Sequence, residues 1–296
     1  MKDAFSGFHP FINLLFFSLT LAFAMTLTHP ACLAASLACS LAYSIYLNRG
    51  KAIRFSLVFL LPMLLVTALL NPLFNHRGVT ILTYLWNGNP LTLESIAYGA
   101  VSAVILISSI SWFSCVNAVM TGDKLIYLFG RVIPSFSLVL SMSLRLAPRF
   151  KAQAKVISGA MKGAGLGVAN GGPLRRIRNG VGIISILVTW ALENAVETAD
   201  SMKSRGYGLP GRTAFSIYRF DRRDLAALCF LLFCGGYVVL GAFTGGLYYR
   251  YFPSIKGGPG GPWPISVRIV YFTMCFSPIA FNLWEDRKWK ALESRA

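Results

Sequence analysis

The sequence predicts an all-α membrane protein with about six transmembrane helices and two long cytoplasmic helices between the fourth and fifth spans. The first observation is composition: of 296 residues, 55% are hydrophobic and 13% are charged, roughly half the charged fraction of soluble domains. The second is arrangement, because several separate apolar blocks approach the roughly 20 residues that cross about 30 Å of hydrocarbon. The third is a long basic stretch that interrupts these blocks in the middle of the chain.

Six apolar blocks mark the expected spans. They cover residues 11–28, 31–47, 55–70, 95–120, 225–247 and 265–284. His9-Pro10 and His29-Pro30 are interpreted as helix boundaries at the membrane interface, and Thr92 is expected to cap the fourth span. The chain accordingly divides into a membrane region with an external loop, a cytoplasmic region, and a second membrane region with a cytoplasmic tail. The boundaries are 1–122 with the loop at 71–93, then 123–223, and then 224–296.

The distribution of basic residues indicates the orientation. If the N-terminus is inside, the external loops hold only Arg77, Arg250, Lys256 and Arg268, and the other 24 of the 28 basic residues face the cytoplasm. This asymmetry follows the positive-inside rule and predicts a multi-pass protein of the cell membrane with both termini on the cytoplasmic side. Attraction to anionic lipid accounts for the net charge of +17, so no nucleic-acid partner is expected.

The basic stretch lies between Asp123 and Arg223. It holds 16 of the 28 basic residues, and no acidic residue occurs between Asp123 and Glu193. Two apolar runs, 134–144 and 181–192, interrupt it, and at 11 and 12 residues they are expected to be too short to cross a bilayer. Each run continues into a more polar helical pattern, which predicts two long helices outside the membrane.

Both long helices are expected to end at glycine-containing turns. In the second helix an apolar stripe runs to Met202, Arg205 lies in the last turn, Gly206 can adopt the left-handed cap conformation, and Pro210 prevents continuation. The first helix is expected to end in the glycine-rich segment 163–172. From spacing alone, Arg205 is either an ordinary cation at a helix C-terminus or a docking residue.

Several kinds of chemistry are missing from the sequence. No Asp, Glu, Lys or His lies well inside the six blocks, although ion-coupled transporters usually place such groups there. The three histidines lack a nucleophile or carboxylate at a recognisable spacing, so neither a catalytic nor a metal site is expected. The chain also contains no Gly-x-x-x-x-Gly-Lys-Ser/Thr segment to bind ATP.

Three segments together resemble the T component of energy-coupling factor (ECF) transporters, a family of transmembrane coupling subunits. The first begins with Asn71-Pro72 and is similar to the family's external loop, and the second runs from Gly130 through Arg145 and Pro148 to Arg149. The third contains Ser204-Arg205-Gly206, which resembles an Ala-Arg-Gly coupling motif. The resemblance covers about residues 1–225.

The resemblance implies which residues couple the chain to its partners. At the second helix end these are Met202, Ser204, Arg205 and Gly206, with Arg205 pairing with a carboxylate of an ATPase. At the first end the corresponding residues are Lys162, Gly163, Ala164 and Gly165, where the arginine of the family motif is absent. Asn71, Pro72, Arg145 and Pro148 are implied to be structural or to contact the substrate-capture subunit.

The resemblance also implies the function. A T component is a non-catalytic subunit that joins two ABC-type ATPases to a small membrane-embedded S subunit, which captures a vitamin or metal ion. It binds no cofactor itself, because ATP and Mg belong to the ATPases. The alternatives are a stand-alone secondary transporter or channel, which would move a solute without ATPases, and a membrane-bound enzyme, which would turn over alone.

Overall fold

The computed structural model describes residues 3–75, 78–84, 90–168, 172–209, 218–258 and 261–293. These residues are almost entirely helical, which confirms the prediction of an all-α protein. The chain forms two compact units, one comprising Met1–Thr121 and Tyr218–Ala296 and the other comprising Gly122–Ile217. Arg77, Pro210 and part of the expected loop 71–93, residues 76–77 and 85–89, lie outside the described residues.

Ten helices and two small hairpins make up the described fold. The helices are α1 (Pro10–Thr26), α2 (Pro30–Asn48), α3 (Gly50–Phe55), α4 (Leu61–Phe74), α5 (Leu93–Val119), α6 (Gly122–Val132), α7 (Pro134–Gly163), α8 (Pro173–Ser204), α9 (Arg222–Phe243) and α10 (Pro262–Glu293). Antiparallel β1 (Ile81–Tyr84) and β2 (Pro90–Thr92) precede α5, and β3 (Tyr249–Arg250) pairs with β4 (Lys256–Gly257) between α9 and α10. A π-helical stretch, Ser56–Leu60, joins α3 to α4.

The helices of the first unit begin where local hydrogen bonding favours them. The Nδ1 atoms of His9 and His29 accept from the backbone amides two residues later, at 3.2 Å in each case, and a proline follows each histidine. Thr92 Oγ1 accepts from the Ser95 amide at 3.3 Å and starts α5. These contacts satisfy amides that have no partner inside the helix, and they confirm that all three residues mark helix starts.

The core of the first unit surrounds Trp112 of α5. Its indole ring is fully buried, and its Nε1 donates to Ser36 Oγ of α2 at 3.1 Å. Phe16 and Phe17 of α1 meet this ring at edge-on angles of 73° and 67°. Helices α1, α2 and α5 therefore share one buried aromatic core, with the indole N–H hydrogen-bonded as burial requires.

Six described helices are long and apolar enough to cross a membrane, as expected in number. They are Pro30–Asn48, Gly50–Phe74, Leu93–Val119, Pro173–Ser204, Arg222–Phe243 and Pro262–Glu293. By length and composition, this set differs from the expected spans at two places. Helix α1 has 17 residues and falls among the shorter apolar helices, whereas α8 contains an 18-residue stretch apolar enough to span.

The difference at α8 has a physical cause. The apolar run 181–192 is too short by itself, but the helix is continuous for 32 residues. Gly180 before the run and Ala195 and Val196 after it are uncharged, so the helical stretch around the run holds few charges. Length and composition alone therefore do not distinguish α8 from a membrane span.

Candidate functional site

The C-terminal end of α8 is closed by a Schellman turn. Gly206 has a φ of +78°, and its amide donates to the Lys203 carbonyl at 2.9 Å. The Tyr207 amide reaches back to the Met202 carbonyl at 3.0 Å. These two bonds satisfy carbonyls that the helix leaves unpaired, and they place Arg205 at the C-cap position.

The C-terminal end of α7 has the same turn. Gly165 has a φ of +75°, and its amide donates to the Lys162 carbonyl at 3.1 Å. The Leu166 amide reaches the Met161 carbonyl at 2.9 Å, and Ala164 is the C-cap residue. Both long helices therefore end with equivalent backbone geometry.

The two turns are also related in sequence, and the relation extends beyond the four residues expected to correspond. Residues 161–167 read Met-Lys-Gly-Ala-Gly-Leu-Gly, and residues 202–208 read Met-Lys-Ser-Arg-Gly-Tyr-Gly. Equivalent positions carry the same Met, the same Lys and both glycines. The sequence of each turn therefore follows the pattern Met-Lys-x-x-Gly-x-Gly, in which Ala164 is the counterpart of Arg205.

The two turns differ in charge at the C-cap. Arg205 is exposed and makes no ion pair within the described part of the chain. A cation at a helix C-terminus gains about 0.3–1 kcal/mol from the helix dipole at an exposed site. Ala164 is exposed as well but contributes no charge. The second end therefore presents a guanidinium that the first end lacks.

The first turn is anchored to α8 and borders a cavity. Asn179, which is only 6% exposed, donates from Nδ2 to the Gly167 carbonyl at 3.1 Å. The adjacent cavity measures about 710 Å³. Its described lining consists of Met161, Leu166, Leu174, Arg175, Arg178 and Asn179. Two guanidinium groups from the start of α8 thus lie beside the end of α7, where the C-cap has no charge.

Helices α7 and α8 contact each other through side chains. The rings of Phe150 and Trp190 meet edge to face, with centroids 5.7 Å apart and an interplanar angle of 82°. Nearer the turn, Met161 Cε of α7 lies beside Gly182 of α8, at ordinary contact distance from the position that a Cβ on Gly182 would occupy. These contacts join the two long helices into a pair.

One face of α8 is apolar and exposed. The residues that define this apolar stripe are Val181, Ile184, Val188, Leu192 and Val196. Each is more than half exposed, and their spacings of three and four residues place them on one side of the helix. An exposed apolar face of this length is typical of a surface that contacts lipid or another protein.

The remaining predicted site residues lie elsewhere. Arg145 and Pro148 are exposed on α7, with Pro148 inside the helix. Asn71 and Pro72 are expected from the sequence in a loop, but they form the last turn of α4, which corrects that expectation. A Cβ built on Gly99 of α5 would lie 3.1 Å from Pro72 Cδ, so this turn packs closely on α5.

The described residues contain no group of three His, Cys, Asp or Glu side chains that could hold a metal ion. The buried thiols of Cys32, Cys39 and Cys275 are free in the structure.

Comparison with known proteins identifies relatives for part of the chain. No protein-family model matches it. The chain is 27% identical over 118 residues to the energy-coupling factor transporter transmembrane protein EcfT of Lactobacillus helveticus, covering 40% of this chain and 43% of the relative. It is 31% identical over 110 residues to EcfT 1 of Listeria monocytogenes, covering 36% and 41% respectively. It is also 31% identical over 93 residues to EcfT of Lactococcus lactis, covering 31% and 35%.

Each alignment spans less than half the length of the curated relative that it matches. The relatives nevertheless share one description, and the chain has the apolar helices of a multi-pass membrane protein. These matches support a resemblance of this part of the chain to the transmembrane T components of energy-coupling factor transporters.

Proposed function

We propose that this chain is the coupling subunit of an ATP-driven importer. In this function it transmits the motion of two ATPase subunits to a separate S subunit that captures a vitamin or metal ion. The observation that carries the proposal is the pair of equivalent Schellman turns at the ends of α7 and α8. The names of the EcfT relatives support the same class of assembly.

The end of α8 is proposed to dock in a groove of one ATPase. Arg205 supplies a guanidinium for a carboxylate of that groove, Gly206 keeps the turn compact, and Ser204 Oγ is already bonded to the Ser201 carbonyl at 2.9 Å. Met202 is half-buried beside the turn and offers an apolar contact. Loss of one partner from a desolvated, hydrogen-bonded charge pair costs roughly 2–5 kcal/mol.

The end of α7 is proposed to dock in the second ATPase by a different charge arrangement. Ala164 leaves the C-cap neutral, and Lys162 lies two positions earlier in the last turn of the helix. Arg175 and Arg178 line the cavity beside this turn and supply two further cations. An acidic side chain of the partner can therefore be recognised at the first end without an arginine at the C-cap.

The apolar stripe of α8 is proposed to contact the S subunit. Its side chains are exposed and too apolar to favour contact with water. Arg145 and Pro148 are exposed on α7 and can take part in the same interface. Asn71 and Pro72 are assigned a structural role instead, because they pack against Gly99.

The proposed mechanism needs no chemistry from this chain. ATP and Mg are bound by the ATPases, and their closure moves the two helix ends. The long helices α7 and α8 then transmit that displacement to the S subunit, which reorients and releases its cargo inward. The excess of basic residues in the segments around α7 and α8 favours placing these helices and both termini on the cytoplasmic side.

The proposal is tested by reversing the charge at the second end. Arg205→Glu is expected to abolish co-purification of the ATPases, identified by mass spectrometry and by nucleotide hydrolysis, while the variant still inserts into the membrane. Lys155→Glu is the matched control, because Lys155 is an exposed cation of α7 away from both turns. Normal recovery of both ATPases with Arg205→Glu would contradict the proposal.

A further inference from the structure

An apolar groove lies on the first unit between the N-terminal segment, α9 and α10. It measures about 620 Å³ and is walled by Phe8, Leu231, Phe276 and Phe281, among other apolar side chains. Two hydroxyl groups also line it, but Thr273 Oγ1 and Ser277 Oγ each donate to a carbonyl of their own helix at 2.8 Å. The walls therefore offer an apolar surface with its polar atoms already satisfied.

Arg223 stands at this groove and is held in place by the protein. Its guanidinium carbon lies 4.5 Å from the centroid of the Phe8 ring, and Nη2 donates to the Gly7 carbonyl at 3.4 Å. Both contacts leave most of its five N–H groups available. The side chain is exposed and pairs with no carboxylate among the described residues.

The nearest carboxylate in sequence does not neutralise Arg223. Asp224 is buried, and its two oxygens accept from backbone amides, Oδ1 from His9 at 3.2 Å and Oδ2 from Asp221 at 3.1 Å. This capping box starts α9 and occupies the carboxylate. The positive charge of Arg223 is consequently left for an external partner.

Arg223 also borders a separate polar cavity that contains the carboxylates of Asp3, Glu285 and Asp286. Tyr43 donates to Asp3 at 3.0 Å, and Tyr46 donates to Asp286 at 2.9 Å. Glu285 retains one oxygen without a hydrogen bond in the described structure. Glu293 and the cations Arg49 and Lys290 line the same cavity, and none of its acids forms an ion pair with Arg223 in the described structure.

A second cation lies at Trp284, an exposed side chain that lines the same groove. Lys288 Nζ is 5.7 Å from the centroid of the Trp284 ring. Tryptophan and lysine are typical of the level at which lipid headgroups meet the hydrocarbon. The groove thus combines an apolar channel with the cation Arg223, and Lys288 lies next to it, against Trp284.

We propose that this groove binds one phospholipid with an anionic headgroup. An acyl chain fills the apolar channel, where it replaces no hydrogen bond, and the phosphate is held by Arg223. Basic pockets between transmembrane helices commonly recognise anionic headgroups in this way. The proposal depends on the membrane fold alone and is independent of ATPase docking, so either can fail without the other.

The test is native mass spectrometry of the full chain in detergent, titrated with phosphatidylglycerol or with phosphatidylcholine carrying the same acyl chains. Tighter binding of phosphatidylglycerol is expected. Arg223→Gln is expected to weaken phosphatidylglycerol binding about fivefold, in line with the contribution of one basic residue to anionic-lipid attraction. Arg222→Gln is the matched control, because Arg222 is an adjacent exposed arginine that does not line the groove.

Phosphatidylglycerol with a photoreactive acyl chain provides a second measurement. Crosslinks are expected on the α9 and α10 peptides that contain Phe230 and Phe276, both of which line the groove. Equal affinity for the two lipids would overturn the proposal, as would equal weakening by Arg222→Gln and Arg223→Gln. Crosslinks confined to other helices would also overturn the proposal, because they would show that the lipid does not occupy this groove.

Discussion

Alanine substitution at the glycines of the two turns tests the geometry on which docking is proposed to depend. Gly206 has a φ of +78°, a conformation that costs an L-residue about 1–2 kcal/mol. A Cβ there would also lie 3.1 Å from Leu209 Cδ1, a flexible atom that can move. Gly206→Ala is therefore expected to destabilise the turn by about 1–2 kcal/mol, or roughly 5- to 30-fold in its opening equilibrium.

Hydrogen exchange measured by mass spectrometry reports this change at the Tyr207 amide, which bonds to Met202 in the closed turn. Gly165→Ala is the matched strain variant, since its φ is +75° and nothing lies within 4 Å of the added carbon. Gly163→Ala is the control without backbone strain, because Gly163 is part of helix α7 and no atom lies within 4 Å of the added carbon. Faster exchange is expected at the Tyr207 amide in Gly206→Ala and at the Leu166 amide in Gly165→Ala, and at neither amide in Gly163→Ala. Unchanged exchange in Gly206→Ala, or equal effects in all three variants, would refute the reasoning.

Two further substitutions test other parts of the account. Ala164→Arg is expected to preserve or strengthen ATPase co-purification, because it adds the cation found at the equivalent position of the second turn; clearly poorer assembly would show that the first docking surface has diverged. Gly241→Ala is expected to lower stability in detergent by about 1–3 kcal/mol through overpacking, because its Cβ would lie 2.5 Å from Val267 Cγ1. Gly236→Ala is the control, with no atom within 4 Å, and equal melting temperatures for the two variants would contradict the close contact of α9 with α10.

Much of the fold follows from local patterns in the sequence. His9, His29 and Thr92 each precede an apolar block and carry a side-chain acceptor, which is sufficient to place three helix starts. Gly206 after a basic last turn similarly predicts the end of α8. These features depend on residues close in sequence, so a single amino-acid sequence is enough to predict them.

Other features depend on contacts that no local pattern specifies. The continuation of α4 through Asn71 and Pro72 relies on packing against Gly99, a residue more than 25 positions away. The short helix α6 follows a membrane block so closely that its residues resemble an entry segment to α7 rather than a separate helix. In each case tertiary structure outweighs the local propensity of the sequence.

The residues of the candidate site can be predicted from the sequence, but the detailed geometry of the two turns and their surroundings cannot. Arg205, Gly206 and the counterparts Ala164 and Gly165 are expected from the motif, whereas the matching hydrogen bonds of the two turns are seen only in the structure. The positions of Arg175 and Arg178 beside the first turn cannot be inferred from sequence, because they depend on how α8 returns along α7.

The central claim is that Arg205 connects this chain to an ATPase. Its most direct test is the dissociation constant between the full chain and its purified ATPase partners, compared for Arg205→Glu and Lys155→Glu. A loss of about 2–5 kcal/mol corresponds to a weakening of roughly 30-fold or more for Arg205→Glu, with Lys155→Glu close to the parent chain. Equal dissociation constants for the two variants would contradict the account.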